Sequence, residues 1–374
     1  MSATGTLDPL EATKLEDTTG LSLSGGGFRA MVFHVGALWR LNELGMLPKI
    51  SRYSSVSGGS ITNGVLARAW SSLTFDPNGI ASNFAAEVAS PILAFAQTNV
   101  DIKAILIGLL PTQSVGKRVS NAYDEGLFHG TTLQNLPTSP RFTFNTTNLM
   151  SGSLMRFSPE YASDYRVGRI DRPDFLLADI VAASSAFPPV LSPFDLNFGA
   201  QNPIPEPGAT LNKPPYTQKA VLSDGGIYDN LGLETVWKRC KTLLVSNAGR
   251  NVFAEESPAH FWPTQLYRAV NVIHNQVDNA RERQLLALAK GGFRNVAYWA
   301  IETEPGAFHV EPSVLSLSKA ELAQSASIST RLAALTKIQC SLLLKHAYLL
   351  CDLSVRSYFD RTMQPPPSFP HFPV

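Results

Sequence analysis

The chain has 374 residues, of which 44% are hydrophobic and only 16% charged; a globular domain usually carries about 25% charge, so a large core with apolar surface to spare is expected. Its 31 basic and 30 acidic residues leave a net charge of +1, which excludes a global field able to gather nucleic acid or an anionic membrane. The three cysteines, Cys240, Cys340 and Cys351, show no CxxC spacing and so argue against a disulfide framework and a zinc site; they read as buried thiols.

Residues 1–20 contain acids and a proline but no apolar h-region, unlike a signal peptide. No run reaches the roughly 18 apolar residues of a membrane helix. The expectation is a soluble, cytoplasmic chain that contacts a membrane at most peripherally.

Taken in order, the pattern predicts a strand at Leu21 to Leu23, a helix from Arg29 to Leu44 stopped by Gly45, and a second strand at Tyr53 to Val56. This is a βαβ unit. A helix follows over Ser60 to Trp70, and a helical region over Ala85 to about Leu110. "RFTFNTTNL" from Arg141 reads as a strand, "LLADIVAASSAF" from Leu176 as a helix, and "KAVLSDGG" from Lys219 and "TLLVSNAG" from Thr242 as strands. Beyond Thr264 apolar residues recur every three or four positions, so that part is helical.

Strands alternating with helices indicate an α/β fold with a mostly parallel central sheet, helices on both faces and further C-terminal helices. No repeat or linker interrupts the chain. One domain over 1–374 is expected, with its motifs in 20–232, a helical part over 264–360 and a loose tail over 363–374. The proline-rich stretch Pro188 to Pro215 reads as a long functional loop.

Three motifs carry chemistry. The first, "GGGFRA" at Gly25 to Ala30, follows a strand and opens a helix, as a dinucleotide fingerprint does. The next strand, however, ends "YSSVSGGS" without the acid that would hold a ribose. A P-loop lacks support too, since no Lys-Ser/Thr pair follows the last glycine. No cofactor is therefore expected.

That second strand end is the second motif. It places Ser57 at a strand-to-helix turn followed by Gly58 and Gly59, the arrangement of a nucleophile elbow, where small neighbours let helix and strand cross closely. An attacking serine creates an oxyanion that needs preorganised donors worth roughly 3 kcal/mol each. The N–H groups of Gly26, Gly27 and Phe28 are candidates.

A base must take the serine proton, and none of the seven histidines sits in a strand-end turn after the elbow. His34, two turns into the first helix, reads as packed. The third motif, "VLSDGGIYDNLG", ends a strand at Asp224, whose carboxylate would reach the same sheet edge as Ser57 and, poorly hydrated, could accept the proton directly. A plain Asp-Gly turn is the bland alternative.

"SGGGFRA", "SVSGGS" and "SDGGIYDN", in that order, resemble the patatin-like phospholipases, specifically over about Gly20 to Gly232. The resemblance implies a three-layer α/β/α fold, a Ser57–Asp224 catalytic dyad and an oxyanion hole built on Gly25, Gly26, Gly27 and Arg29. It implies hydrolysis of acyl esters in membrane lipids or lysolipids without a metal. One departure is Ser55, where the family's G-x-S-x-G begins with glycine. Arg29 reads either as a prop for the loop or as a phosphate-attracting group. Ser184 and Ser185 receive no catalytic role, and Asp229 and Asn230 read as local turn groups. The apolar helix over 91–110 reads as a lipid-facing lid or acyl-chain groove, or as core. A silent lipid-binding module, or an enzyme awaiting a small-molecule activator, is the alternative reading.

Overall fold

The computed structural model describes residues 15–100, 114–249, 252, 254–310 and 314–374. Its ten strands form one sheet: β1 (Glu16–Leu23), β2 (Ile50–Ser55), β3 (Arg141–Asn148), β4 (Ser153–Phe157), β5 (Tyr161–Asp164), β6 (Gly168–Asp171), β7 (Phe194–Asn197), β8 (Lys219–Asp224), β9 (Cys240–Asn247) and β10 (Asn295–Ala300). Among the described residues ten α-helices accompany them: α1 (Gly27–Glu43), α2 (Gly58–Ala69), α3 (Ser90–Ala96), α4 (Val115–Tyr123), α5 (Leu177–Ser184), α6 (Gly226–Asp229), α7 (Glu234–Trp237), α8 (Trp262–Lys290), α9 (Lys319–Ser327) and α10 (Lys337–Tyr358).

The central order β10-β9-β1-β2-β3 is parallel throughout. Leu21, Leu23, Leu244 and Trp299 face a core built with α1 and α10. Leu243, Val245 and Val296 face the opposite side, where Leu231, Leu233, Val236 and Leu285 cover them. Burial on both faces is what the runs "LSL" and "LLV" require of parallel strands. Helix α1 is buried along nearly its whole length. Gly36, whose missing side chain would collide with the Leu344 backbone, lets α10 lie close against it.

Beyond β3 the sheet turns antiparallel through β4, β5 and β6, and β8 also pairs antiparallel with β3. Thr146 and Thr147 pair with β4 and with β8, while Phe144 pairs with β4 and with Ser55 of β2. Strands β2 and β8 therefore occupy the same side of β3, one after the other, and run toward each other.

Several boundaries and elements differ from the sequence reading. The strand β10 was not expected inside the helical C-terminal part, nor were the short strands β4 to β7. Strand β7 lies within the proline-rich stretch and pairs with β8, so that loop is anchored to the sheet. Of the apolar helix over 91–110, Ile92, Leu93 and Phe95 are buried core residues, with Phe95 against Phe28; residues 101–110 lie outside the described residues. The tail is not loose. Phe372 is buried with its ring 5.2 Å from that of Trp39, and Gln364 accepts a hydrogen bond from Arg40. Aromatic side chains in a proline-rich segment had a place to pack, which composition alone did not reveal.

Candidate active site

Ser57 caps α2 with φ 52° and ψ −123°, a conformation that costs a residue with a Cβ on the order of 1–3 kcal/mol. The strain is held by a chain of hydrogen bonds. The Ser57 N–H donates to Ser184 Oγ at 3.0 Å, and Ser184 donates to the Asn145 carbonyl at 2.7 Å. Asn145 in turn donates through Nδ2 to the Ser55 carbonyl at 2.9 Å. Ser184, given no catalytic role from sequence, thus props the elbow through its hydroxyl. Ser55 fits in the family's glycine position because its hydroxyl pairs with Ser60 at 3.0 Å and accepts from Asn63 at 2.9 Å.

The glycine loop crosses the elbow at backbone distance. A Cβ on Gly58 would stand 2.0 Å from the Gly27 carbonyl, so the residue after Ser57 must be glycine for the two segments to touch. Within the loop the sequence expectation needs correction. The Phe28 N–H is engaged by the Arg331 carbonyl at 3.1 Å, and that of Gly25 by the Asn230 carbonyl at 2.9 Å. The N–H groups of Gly26 and Gly27, at φ 136° and 57°, meet no acceptor among the described residues.

Arg29 does not point at solvent or a headgroup. Its buried guanidinium donates to the carbonyls of Ala248 at 2.6 Å, Ala326 at 3.1 Å and Ile328 at 3.0 Å, pinning the loop to the residue after β9 and to the last turn of α9 and the residue beyond it. His34 is buried as expected, between Ser246 Oγ and the Ser24 carbonyl.

Asp224 approaches from the opposite direction to the one anticipated. Strand β8 is antiparallel to β3, so its end meets the end of β2 head to head rather than emerging beside it at a common edge. A Cβ on Gly225 would lie 2.3 Å from the Asn145 carbonyl, which explains the glycine directly after the aspartate. The carboxylate accepts the Gly226 N–H at 2.7 Å. Burial pushes its pKa up to about 6, against the opposing effects of that N–H, of a hydrogen bond from Ser57, and of nearby His274. The Ser57 hydroxyl and the Asp224 carboxyl are thus brought together, both almost wholly buried.

They line one cavity of about 930 Å³. Its floor is Gly25, Gly26, Gly27 and Ser57; its walls include Phe187 to Leu191 of the proline-rich loop, Ser327 to Leu332, and the polar side of α8. Helix α8 contributes groups that strand-end reasoning missed. His274 lies near Asp224 with its ring 6.0 Å from that of Phe187, and burial lowers its pKa while the Asp224 charge opposes this. One turn on, Asp278 Oδ2 stands 3.9 Å from His274 Nε2 and accepts a hydrogen bond from Asn230 at 3.1 Å; burial raises its pKa to about 7. The legible signal was the run Thr264, Arg268, Asn271, Asn275 and Asp278, polar residues spaced by three and four on one helical face.

Asn230 also does more than stabilise its own turn. Its carbonyl holds Gly25 and its side chain holds Asp278, so one residue ties the glycine loop to α8. Asp229 does support the turn, accepting the Glu234 N–H at 2.6 Å and facing Arg281 at 3.8 Å. The thiols of Cys240, Cys340 and Cys351 are free and buried. Among the described residues no cluster of His, Cys, Asp and Glu could hold a metal ion, and no helix is long and apolar enough to cross a membrane.

Among solved structures the fold is similar to human GIVD cytosolic phospholipase A2, at 13% identity and a TM-score of 0.52, with 91% of this chain and 62% of that one covered. The chain therefore spans about three-fifths of that protein's length. VipD from Legionella pneumophila matches at 14% identity and a TM-score of 0.34, covering 90% of this chain and 67% of that one. A search of the curated proteins gives no match. The family model of the patatin-like phospholipases matches residues 21–237, which takes in the glycine loop, the elbow and the DGG turn, and the chain belongs to that family.

Proposed function

We propose that the protein is a lipid acyl hydrolase of the phospholipase A or lysophospholipase type, working through Ser57 and Asp224. The observation that carries this reading is the strained serine meeting a desolvated aspartate in one cavity. Ser57 Oγ attacks the ester carbonyl while its proton passes to Asp224, which burial has made basic enough to accept it. The carbonyl oxygen becomes an oxyanion, facing the N–H groups of Gly26 and Gly27 at the start of α1, where the helix dipole adds to their effect.

Collapse of the tetrahedral intermediate breaks the bond to the alcohol, which leaves with the proton held by Asp224. Water then attacks the acyl-enzyme and gives its proton to Asp224. The fatty acid departs, and the proton returns to Ser57 Oγ. The cavity's volume and its Phe187, Pro188, Val190 and Leu191 wall suit an acyl chain. The substrate would be drawn from a membrane or a lysolipid pool by transient surface contact.

A fluorophosphonate probe tests the nucleophile. Labelling of the wild-type chain and none of Ser57→Ala is expected; equal labelling of both would refute the assignment. Mass spectrometry of products from a mixed-lipid incubation identifies the class of ester cut.

A further inference from the structure

Helix α8 has its amphipathic character reversed. Although 29 residues long, it buries a single side chain, Leu285. Its polar side, Thr264, Arg268, Asn271, Asn275 and Asp278, lines the cavity. Its opposite side, reached in steps of four and three, carries Trp262 at 70% exposure, Leu266 at 58%, Val270 at 43% and Ile273 at 64%. No charged residue interrupts that stripe, since positions 263, 269 and 277 are Pro, Ala and Val. Phe261, at 65%, extends it beyond the helix start. A contiguous apolar patch of this kind marks an interaction site.

We infer that the outer face of the first three turns of α8 is the surface by which the protein sits on a lipid bilayer, its side chains inserted into the interface. This rests on the lipid hydrolase reading above. The patch is continuous with the cavity rim, because Tyr267, half exposed beside the stripe, also lines the cavity, as does half-exposed Val190 of the proline-rich loop across from it. A bilayer touching the stripe therefore touches the cavity mouth. The residue types fit an interface, with Trp and Tyr suited to the headgroup level and Leu, Val and Ile to the acyl boundary. With a net charge of +1 and no cation in the stripe, attachment relies on apolar insertion, so zwitterionic, net-neutral phosphatidylcholine vesicles should suffice.

The test compares the chain carrying Ser57→Ala with the same chain carrying in addition Trp262→Asp, Leu266→Asp and Ile273→Asp. None of these three side chains lines the cavity, and melting curves check that both proteins fold. In co-sedimentation with phosphatidylcholine vesicles we expect at least a tenfold loss of binding by the triple variant. On the background with Ser57 intact, vesicle hydrolysis should fall at least tenfold while hydrolysis of a short soluble ester stays within twofold.

Unchanged vesicle binding by the triple variant would overturn the proposal. So would a change confined to self-association, with a dimer becoming a monomer in sedimentation velocity and vesicle binding intact, since a second copy would then be the occupant. If the wild-type chain bound vesicles through this face but cleaved neither vesicle lipid nor the soluble ester, the hydrolase reading would fail and the docking surface would stand.

Discussion

Ser57 and Asp224 meet because two strands running in opposite directions stop against each other on one side of β3. Ser55 pairs with Phe144, and Asp224 pairs with Thr146 two residues further on. The gap between the strand ends is where the elbow and the DGG turn face each other. Their separation is thus set by backbone register along a buried strand, not by side-chain reach.

Relief of strain at the elbow should be measurable. Ser57→Gly removes the Cβ that makes φ 52° costly, a gain of order 1–3 kcal/mol offset in part by about 0.5–1 kcal/mol of added unfolded-chain entropy. Ser57→Ala keeps the strain. Both variants should lose hydrolysis, and the melting temperature of the glycine variant should exceed that of the alanine variant; the reverse order would show that the elbow is unstrained.

The pH dependence follows from the raised carboxyl. In the proposed mechanism Asp224 accepts the serine proton only when ionised, so kcat/KM should rise with pH through about 6. Stability should move the other way. A carboxyl at 3.8 in the unfolded chain and about 6 when folded makes the native state bind more protons between those values. Stability is therefore lost as pH climbs from about 4 to about 6, by up to roughly 3 kcal/mol at 1.36 kcal/mol per pH unit. Asp224→Asn should abolish turnover and gain on the wild type in urea midpoint between pH 4 and pH 7.

Gly58→Ala pushes a methyl group against the Gly27 carbonyl, 2.0 Å from the ideal Cβ position. Since both are backbone, the loop must move, at a cost of about 1–3 kcal/mol. A drop of about a hundredfold in kcat is expected from misplaced oxyanion donors, with KM for a soluble ester nearly unchanged. Steady-state kinetics on that ester decide it.

Arg29→Lys tests the structural role that its buried hydrogen bonds give that residue. A lysine cannot reach three carbonyls with a planar fork, so a loss of 2 kcal/mol or more is expected from the unpaired buried acceptors. Were Arg29 a headgroup contact, the variant would instead fold normally and change its preference among lipid headgroups. Chemical denaturation and a headgroup panel read the two outcomes.

The turns were more legible in the sequence than the way they meet. Gly-rich turns reveal themselves because Gly25 to Gly27, Gly58 and Gly225 answer local demands of backbone contact and positive φ. The alternation of strands with helices revealed the parallel centre of the sheet, since parallel neighbours need a crossover between them. What stayed hidden was long range. Nothing in "KAVLSD" says that β8 runs antiparallel to β3, since strand direction is decided by the connection that precedes it. Nor could His274 be linked to Asp224, because fifty residues and a helix packing decision stand between them. Phe28 looked like a third oxyanion donor until the Arg331 carbonyl, distant in sequence, was found on its N–H.

The family match stops at residue 237, yet the glycine loop leans on what comes after it: Arg29 is tied to Ala326 and Ile328, Phe28 to Arg331, and α1 to the backbone of Leu344. An expression fragment trimmed to the matched boundaries would shed the scaffolding that holds its glycine loop and bare one whole side of α1. Such a fragment should be recovered as aggregate, because the matched boundaries cut through one packed unit.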